Sequence, residues 1–460
     1  MLLSFTFSVA GQIQDSIVLR FNEYLGYVKK YHPIAKQAEL TIGIGQANLM
    51  KARGGFDPKI EVDFDRKEFK GSEYWNRLNA AFKIPTWYGI ELKGAFEQND
   101  GDFLNVDESL PSEGLYSAGV SMSLGQGLWI NDRMATLKQA KLFREQTEAD
   151  RDLLVNQILY DASLAYFDWL QAFNEVTIFQ NFLTNADIRF RGIRSRATAG
   201  DIAAIDTVEA KIAVQSRALG LEQAKVKLMK RSLELSNFLW LNNNIPVELH
   251  PYVIPDTNID GEIDTTLEIL GRPLDDFTIE NHPKLLSLGY KMDGLRVEKN
   301  LKANKLLPKI DLEYNFLTET PELINSLQSQ DYKGGLTFQL PLFLRKERGD
   351  LKLAKFKLRD AQFDLDNAQV AIKNKIVALY RELESFETQN VLINDIVQNY
   401  NTLLTAEERK FSFGESSLFL INSRESKLID SQLKQIEVQN KFYTAKAKLF
   451  NSLAVNPAKL

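Results

Sequence analysis

The chain has 460 residues, a net charge of −5 and 25% charged residues, long enough for two to four globular domains and too acidic to suit nucleic acid as a partner. It contains no cysteine and three histidines, which excludes thiol chemistry and disulfides and leaves little for a histidine metal site, so neither a metal nor a cofactor is expected. No run of eighteen or more apolar residues occurs, which excludes a transmembrane helix.

Met1–Ala10 is a short apolar run ending in the small-x-small pattern Ser8-Val9-Ala10, without a basic start. It reads as a signal-peptide remnant over residues 1–10, the alternative being a buried N-terminal strand. Ser16 to Ala52 carries a helical pattern. Residues 56–125 do not. There Ile60, Val62 and Phe64 alternate with Glu61, Asp63 and Asp65, and the same period of two returns in Leu78/Ala80/Phe82/Ile84, Ile90/Leu92/Gly94/Phe96 and Val120/Met122/Leu124. These are strands with one apolar face. Loops rich in Gly, Asp, Asn and Ser and a tight turn at Pro85–Gly89 separate them, and Trp75, Trp87 and Trp129 fall among them.

Helix is expected from Asn131 to Thr198 and, after Ala199-Gly200, from Ile202 to Leu241. Residues 242–276, rich in Pro, Asn, Asp and Gly, read as an irregular connector with one short helix at Thr265–Leu270. The second half then repeats the first. His32-Pro33 and Pro58-Lys59-Ile60 recur 250 residues later as His282-Pro283 and Pro308-Lys309-Ile310. Beyond the strands of 307–343 the offset becomes 214, pairing Ala140-Lys141 with Ala354-Lys355 and Gly200 with Gly414, so the first half carries about 36 extra residues, an additional hairpin around Pro85. The domain plan is therefore 11–241 for the first repeat, 242–276 for the connector and 277–460 for the second repeat.

The longest regular stretch is Lys346–Phe413. Leu351, Ala354, Leu358, Ala361, Leu365, Ala368 and Ile372 recur three and four apart; the pattern slips to Ile376 and resumes through Leu379, Leu383, Phe386, Ile393, Val397, Tyr400 and Leu404, with Asn390 as its one polar position. That is a coiled-coil seam with a stutter. At the 214 offset it maps onto sixteen residues from Leu137 to Phe190, of which thirteen are apolar. A helix of this length spans roughly 100 Å. Glycine at each turn suits a left-handed helix end, and the acid after it, Asp201 or Glu415, suits the start of the returning helix.

Strands of this length, apolar on one face and charged on the other, suit a membrane β-barrel, with Glu61, Asp63, Asp65, Glu91, Glu97, Asp311 and Glu313 toward a water-filled lumen that they bias against anions. Four to six strands cannot close a useful barrel, and an open edge in lipid is intolerable, so copies must join. Competing chemistry is poorly supported. Proline at a first helical position explains both His-Pro pairs, and Gly54-Gly55 and Gly125-Gln126-Gly127 lack the spacing of a phosphate loop.

The strand–strand–long-helix–turn–helix unit, its duplication, the His-Pro helix starts and the strand exits Leu340-Pro341-Leu342-Phe343 and Gly127-Leu128-Trp129 resemble the TolC-like outer-membrane efflux proteins (outer membrane factors) over nearly the whole chain. The resemblance implies an α+β membrane protein, internally duplicated: a trimeric β-barrel, four to six strands per protomer, continued by a long periplasmic α-helical barrel. It implies a homotrimer in outer-membrane lipid, most of it periplasmic, meeting a periplasmic adaptor and an inner-membrane pump, and no enzyme activity. It places the periplasmic tip and gate at Arg196, Gly200, Asp201, Asp206, Lys410, Gly414 and Glu415, with Leu420 standing where the second copy would match Asp206. Arg194, Arg196 and Lys410 are then expected to hold the tip by salt bridges. The function implied is the exit duct of a tripartite efflux or type I secretion system. The alternative is a periplasmic coiled-coil adaptor without a pore.

Overall fold

The computed structural model describes residues 17–269, 279–320 and 328–457; the signal-peptide reading of Met1–Ala10 lies outside them. The chain forms two compact units. One draws on residues up to Leu40, on Arg151–Pro283 and on Gln369 onward; the other comprises Thr41–Asp150 and Lys284–Ala368.

The first unit holds the main apolar core. Helix α1 (Phe21–Tyr31) places Phe21, Tyr24, Leu25 and Val28 at i, i+3, i+4 and i+7, and all four are fully buried. They meet Leu159, Tyr166, Phe167, Trp169 and Leu170 of α3 (Asp132–Ala199), with Phe21 5.2 Å from both the Tyr166 and Phe167 rings. The stretch Ser16–Ala52, read as helical, holds a short strand and two helices. Ile17–Leu19 (β1) pairs in parallel with Val253–Pro255, and Tyr166 donates to the Leu19 carbonyl at 2.7 Å. His32 is extended (ψ 135°), as the residue before a proline must be, and Pro33 opens helix α2 (Pro33–Arg53). His32 is buried, Phe238 stacks on its ring, and its Nδ1 accepts from the Ile34 amide at 3.2 Å. His282 is likewise buried, bonded to the Ser452 carbonyl at 3.2 Å.

The connector is more ordered than its composition suggested. Trp240–Leu241 (β6) and Ile245–Pro246 (β7) form a small hairpin around Asn243 and Asn244, both at positive φ, and Val253–Pro255 is β8. Its helix, α5, runs Asp260–Thr266 rather than Thr265–Leu270, and Leu270 lies outside the described residues. Ile259, Ile263 and Leu267 are fully buried in the same core, and Tyr443 donates to Asp260 at 2.6 Å.

Helices α3 and α7 (Arg345–Ser412) have 68 residues each and are close to their expected bounds, and α4 (Ala204–Ser236) and α8 (Leu418–Leu453) return; α4 ends at Ser236 rather than Leu241, because Trp240–Leu241 is taken up as a strand. Every apolar seam position of α7, from Leu351 through the slip at Ile376 to Leu404, is buried or half-buried. In α3 one mapped position fails. Leu154 is 41% exposed and Val155 is buried instead, because α1, α5 and α8 enclose this part of α3 over an arc wider than a coiled-coil seam. Helix α6 (Pro283–Asn304) opens on Pro283 after His282, as α2 opens on Pro33 after His32.

The second unit contains one antiparallel sheet of six strands, β2 (Lys59–Phe69), β3 (Ser72–Pro85), β4 (Ile90–Asp100), β5 (Leu115–Gly125), β9 (Lys309–Thr318) and β10 (Tyr332–Gln339), in the order β10-β9-β5-β4-β3-β2. The extra hairpin, β3 and β4, is therefore inside the sheet, between β2 and β5.

Burial holds the His32 imidazole below its usual pKa against the opposing pull of a backbone hydrogen bond at Asn237. The folded chain then binds this proton less readily than the unfolded chain. The stability contributed by the neutral ring is complete above the unfolded value of about 6.5 and is lost as pH falls below it. Tm should drop as pH goes from about 7 to about 5, and His32→Asn, which keeps an acceptor for the Ile34 amide, should flatten that slope. An unchanged slope in His32→Asn refutes the assignment.

Candidate functional site

The register across the sheet decides which side chains share a face. Glu61 lies opposite Ala81 and then Ala95, Asp63 opposite Asn79 and then Glu97, Glu91 opposite Ser121 and then Glu313, and Asp311 opposite Ser123. Residues opposite one another in a ladder point to the same side, so all seven acids picked from the sequence stand on one face. The other face carries Ile60, Phe82, Ala118 and Phe316 in one row and Leu92, Val120 and Tyr314 in another.

The acids are not alone. Lys59, Arg77, Lys83, Lys93, Lys309 and Lys333 share their face by the same register. Lys83 pairs with Glu61, Lys309 reaches Asp311 at 3.0 Å and Lys93 reaches Glu313 at 3.6 Å, while Arg133 approaches Glu91 at 3.5 Å. Ser123 donates to Asp311 at 2.7 Å and Asn315 to Glu313 at 2.8 Å. An exclusion of anions, expected from the acids taken by themselves, does not follow from a face so nearly balanced in charge. Aromatic rings gather at both ends of β3: Tyr74 stacks on Phe103 with centroids 4.6 Å apart, and just beyond the other end Trp87 stacks on Phe56 at 5.6 Å.

At the helical tips the two turns are built alike. Gly200 and Gly414 have φ of +83° and +78°. The amides of Asp201 and Glu415 each reach back to the carbonyl five residues earlier, Arg196 and Lys410, at 3.0 Å. This is the Schellman closure that glycine permits without strain. The returning helices start differently. Ser417 caps α8 by accepting from the Leu420 amide at 3.3 Å, whereas Ala203 offers α4 no side-chain cap and Asp206 stands in its first turn. Ile193, Ala210 and Leu418 pack with Phe190, Ile202 and Phe411, so the two turns lie side by side. Among the described residues the salt bridges expected of Arg194, Arg196 and Lys410 do not form: Arg196 sits over the Phe411 ring at 5.8 Å, and Asp201 and Glu415 remain exposed.

A charged cluster near these turns escaped the sequence reading. Glu425 of α8 is 1% exposed, and it accepts from Arg189 of α3 at 3.1 Å and from Arg217 of α4 at 3.4 Å. Arg189 also reaches Glu408 of α7 at 3.1 Å, and Arg217 donates to Ser426 at 3.0 Å. Four helices are thereby tied at one point. Arg189 Nη1 and Arg217 Nε stay buried without a partner. The signal was an acid on the buried stripe of α8, between Ile421 and Leu428. At the 214 offset its counterpart is Lys211, so this cluster is not duplicated.

Two further stripes are uncovered within the chain. On α4 Ile205, Ile212, Leu219, Val226 and Leu233 recur every seven residues and are all exposed; on α7 Phe356, Phe363, Val370 and Val377 do the same. A seven-residue apolar stripe is a coiled-coil seam awaiting a partner helix.

Residues 277–455 match the outer membrane efflux protein family. No curated protein matches the sequence. In fold the chain is similar to the Campylobacter jejuni CmeC outer membrane channel (13% identity, TM-score 0.66, 94% of this chain and 85% of that one). It is also similar to CusC, a structure tied to folding and transmembrane channel formation (10%, 0.67, 97% and 95%). A third likeness is to the open state of the Neisseria gonorrhoeae MtrE outer membrane channel (13%, 0.65, 95% and 89%). The resemblance to TolC-like outer-membrane efflux proteins thus holds by sequence in the second half and by fold over nearly the whole chain.

Removing one partner of a buried ion cluster leaves an uncompensated charge, at a cost of about 3–5 kcal/mol. Glu425→Ala should therefore lower unfolding free energy by that order in guanidinium titration. Glu408→Ala, an exposed partner of the same Arg189, should cost at most about 1 kcal/mol. Equal effects would show that burial is not what matters there.

Proposed function

We propose that this chain is the outer-membrane exit duct of a tripartite efflux or type I secretion system. One observation carries the reading: a single sheet, apolar on one face and charged on the other, is entered from α2 and α6 and leads into two long helical pairs, α3–α4 and α7–α8. Lipid meets the apolar face. Glu61, Asp63, Asp65, Glu91, Glu97, Asp311, Glu313 and the bases between them line the lumen. From Trp75 to Pro85 a strand tilted about 35° rises roughly 27 Å, close to the height of the apolar band of an outer-membrane barrel. The aromatic clusters at the two ends of β3 suit the two interfaces of such a band. No helix among the described residues is long and apolar enough to cross a membrane, and the strands are the spanning elements in this reading.

Three copies form the duct, and the exposed stripes of α4 and α7 meet between copies. The protein does no chemistry of its own. Substrates pass by conduction down the lumen, and energy comes from an inner-membrane pump reached through a periplasmic adaptor at the tips. There Asp201, Asp206 and Glu415, repeated by three-fold symmetry, make a ring of negative charge, and opening is a rearrangement of the helix pairs when the adaptor engages. The adaptor alternative offers no use for a sheet whose apolar face is exposed.

Negative-stain microscopy of detergent-purified protein should show a three-fold tube well over ~100 Å long, the length following from the helix rise. A soluble, compact monomer defeats the proposal. Replacing Asp201, Asp206 and Glu415 together with alanine should raise single-channel conductance in planar bilayers. Unchanged conductance removes these acids from the gate.

A further inference from the structure

Both rims of the six-stranded sheet are unpaired. Among the described residues β2 and β10 have no neighbour on their outer side, and every residue of both strands is exposed, Val62 by 60% and Leu336 by 68%. In lipid each unsatisfied backbone group costs several kcal/mol, so these rims must be paired there. The occupant best matched to each rim is the opposite rim of a second copy. All five ladders in the sheet are antiparallel, so β2 and β10 run in opposite directions, and β10 of a neighbouring copy meets β2 as one more antiparallel pair.

We infer that β2 of one copy pairs with β10 of the next with Lys59 opposite Gln339, closing three copies into a barrel of eighteen strands. This rests on the channel reading above and specifies its wall. In this register the eight residues of β10 cover Lys59–Arg66 end to end. Ile60 faces the neighbouring copy's Phe338 and Val62 its Leu336 on the lipid side. Asp65 faces the neighbouring copy's Lys333 in the lumen; among the described residues neither forms a salt bridge in its own chain. Phe64 covers Gly334.

Barrel geometry decides between this register and its neighbours. A slip of one residue is excluded because it would turn every charged side chain into lipid. Within one copy, the row through Lys59 passes Lys83, Lys93, Gly119 and Asn315 to Lys333, and Gln339 lies six residues farther along β10 (339 − 333). Six residues per copy is a shear of eighteen for eighteen strands. With the standard rise and strand spacing, the tilt is about 35°, at the lower edge of the range that barrels adopt. Slipping back by two residues flattens the tilt to about 25°, outside that range. Slipping forward by two takes Lys333 from Asp65 and opposes it to Lys67, a like-charge pair without the acid partners that Lys83 and Lys93 have in Glu61 and Glu313. The resulting wall has a backbone diameter of roughly 33 Å, in the porin range, where a water-filled channel remains open.

The absence of cysteine makes the seam testable by cross-linking without background. Two adjacent rows are probed, Val62→Cys with Leu336→Cys and Asp63→Cys with Gly335→Cys, since one of the two must be the closer, non-hydrogen-bonded pair. At least one should give disulfide-closed covalent trimers on non-reducing gels, while the slipped pairs, Val62→Cys with Phe338→Cys or with Gly334→Cys, should give none. A second pair of variants reads the same contact without cysteine: Asp65→Lys should lower the temperature at which trimers dissociate, and adding Lys333→Asp should restore it. Stable trimers with cross-links only in a slipped pair, or in no pair, or without rescue by the charge swap, overturn the eighteen-strand seam and leave the channel reading standing. A wild-type chain that is monomeric in detergent overturns both.

Discussion

Burial of one apolar stripe along each 68-residue helix is the constraint on which the other features depend. Such helices gain little from propensity alone and need a neighbour along their length. Small side chains at seam positions, Ala354 and Ala361 on α7 and Ala140 and Ala162 on α3, allow close approach where the helices must stay parallel for many turns. The stutter at Ile376 keeps the stripe on one side as the coil unwinds locally. Once these stripes are buried, the returning helices and the glycine turns between them have few alternatives.

A seam of this kind is monotonous, and on its own would slide. Two features set its register. One is the aromatic core of α1, α3, α5 and α8, where Tyr166 and Tyr443 bury their rings and still satisfy their hydroxyls on Leu19 and Asp260. The other is the buried Glu425 cluster, whose charges can be satisfied only when α3, α4 and α8 stand at one relative height. Buried ion clusters contribute little net stability, and fixing a register is their best-attested use. In the second unit the same task falls to the sheet, where a slip of one residue would turn the acids of β2 onto the apolar side.

Much of this was legible in one dimension. The period-two strands, the three-four spacing of the helices, the stutter and the 250 and 214 offsets located the elements to within a few residues, because each is a local rule of which side a side chain faces. The seven acids shared a face for the same reason. The seam failed at Leu154, and the connector was read as irregular although Ile259 and Ile263 are core, because burial there comes from segments distant in the chain.

The sequence by itself determined the elements, the faces of the strands and the left-handed turns at Gly200 and Gly414. All follow from backbone geometry within a few residues. Only the tertiary structure decided that the hairpin β3–β4 lies inside the sheet, that basic residues share the face of the acids, and that Arg189 and Arg217 converge on Glu425. Those outcomes depend on which strand or helix lies alongside which. That choice is made by the sum of many distant contacts, and no local spacing records it.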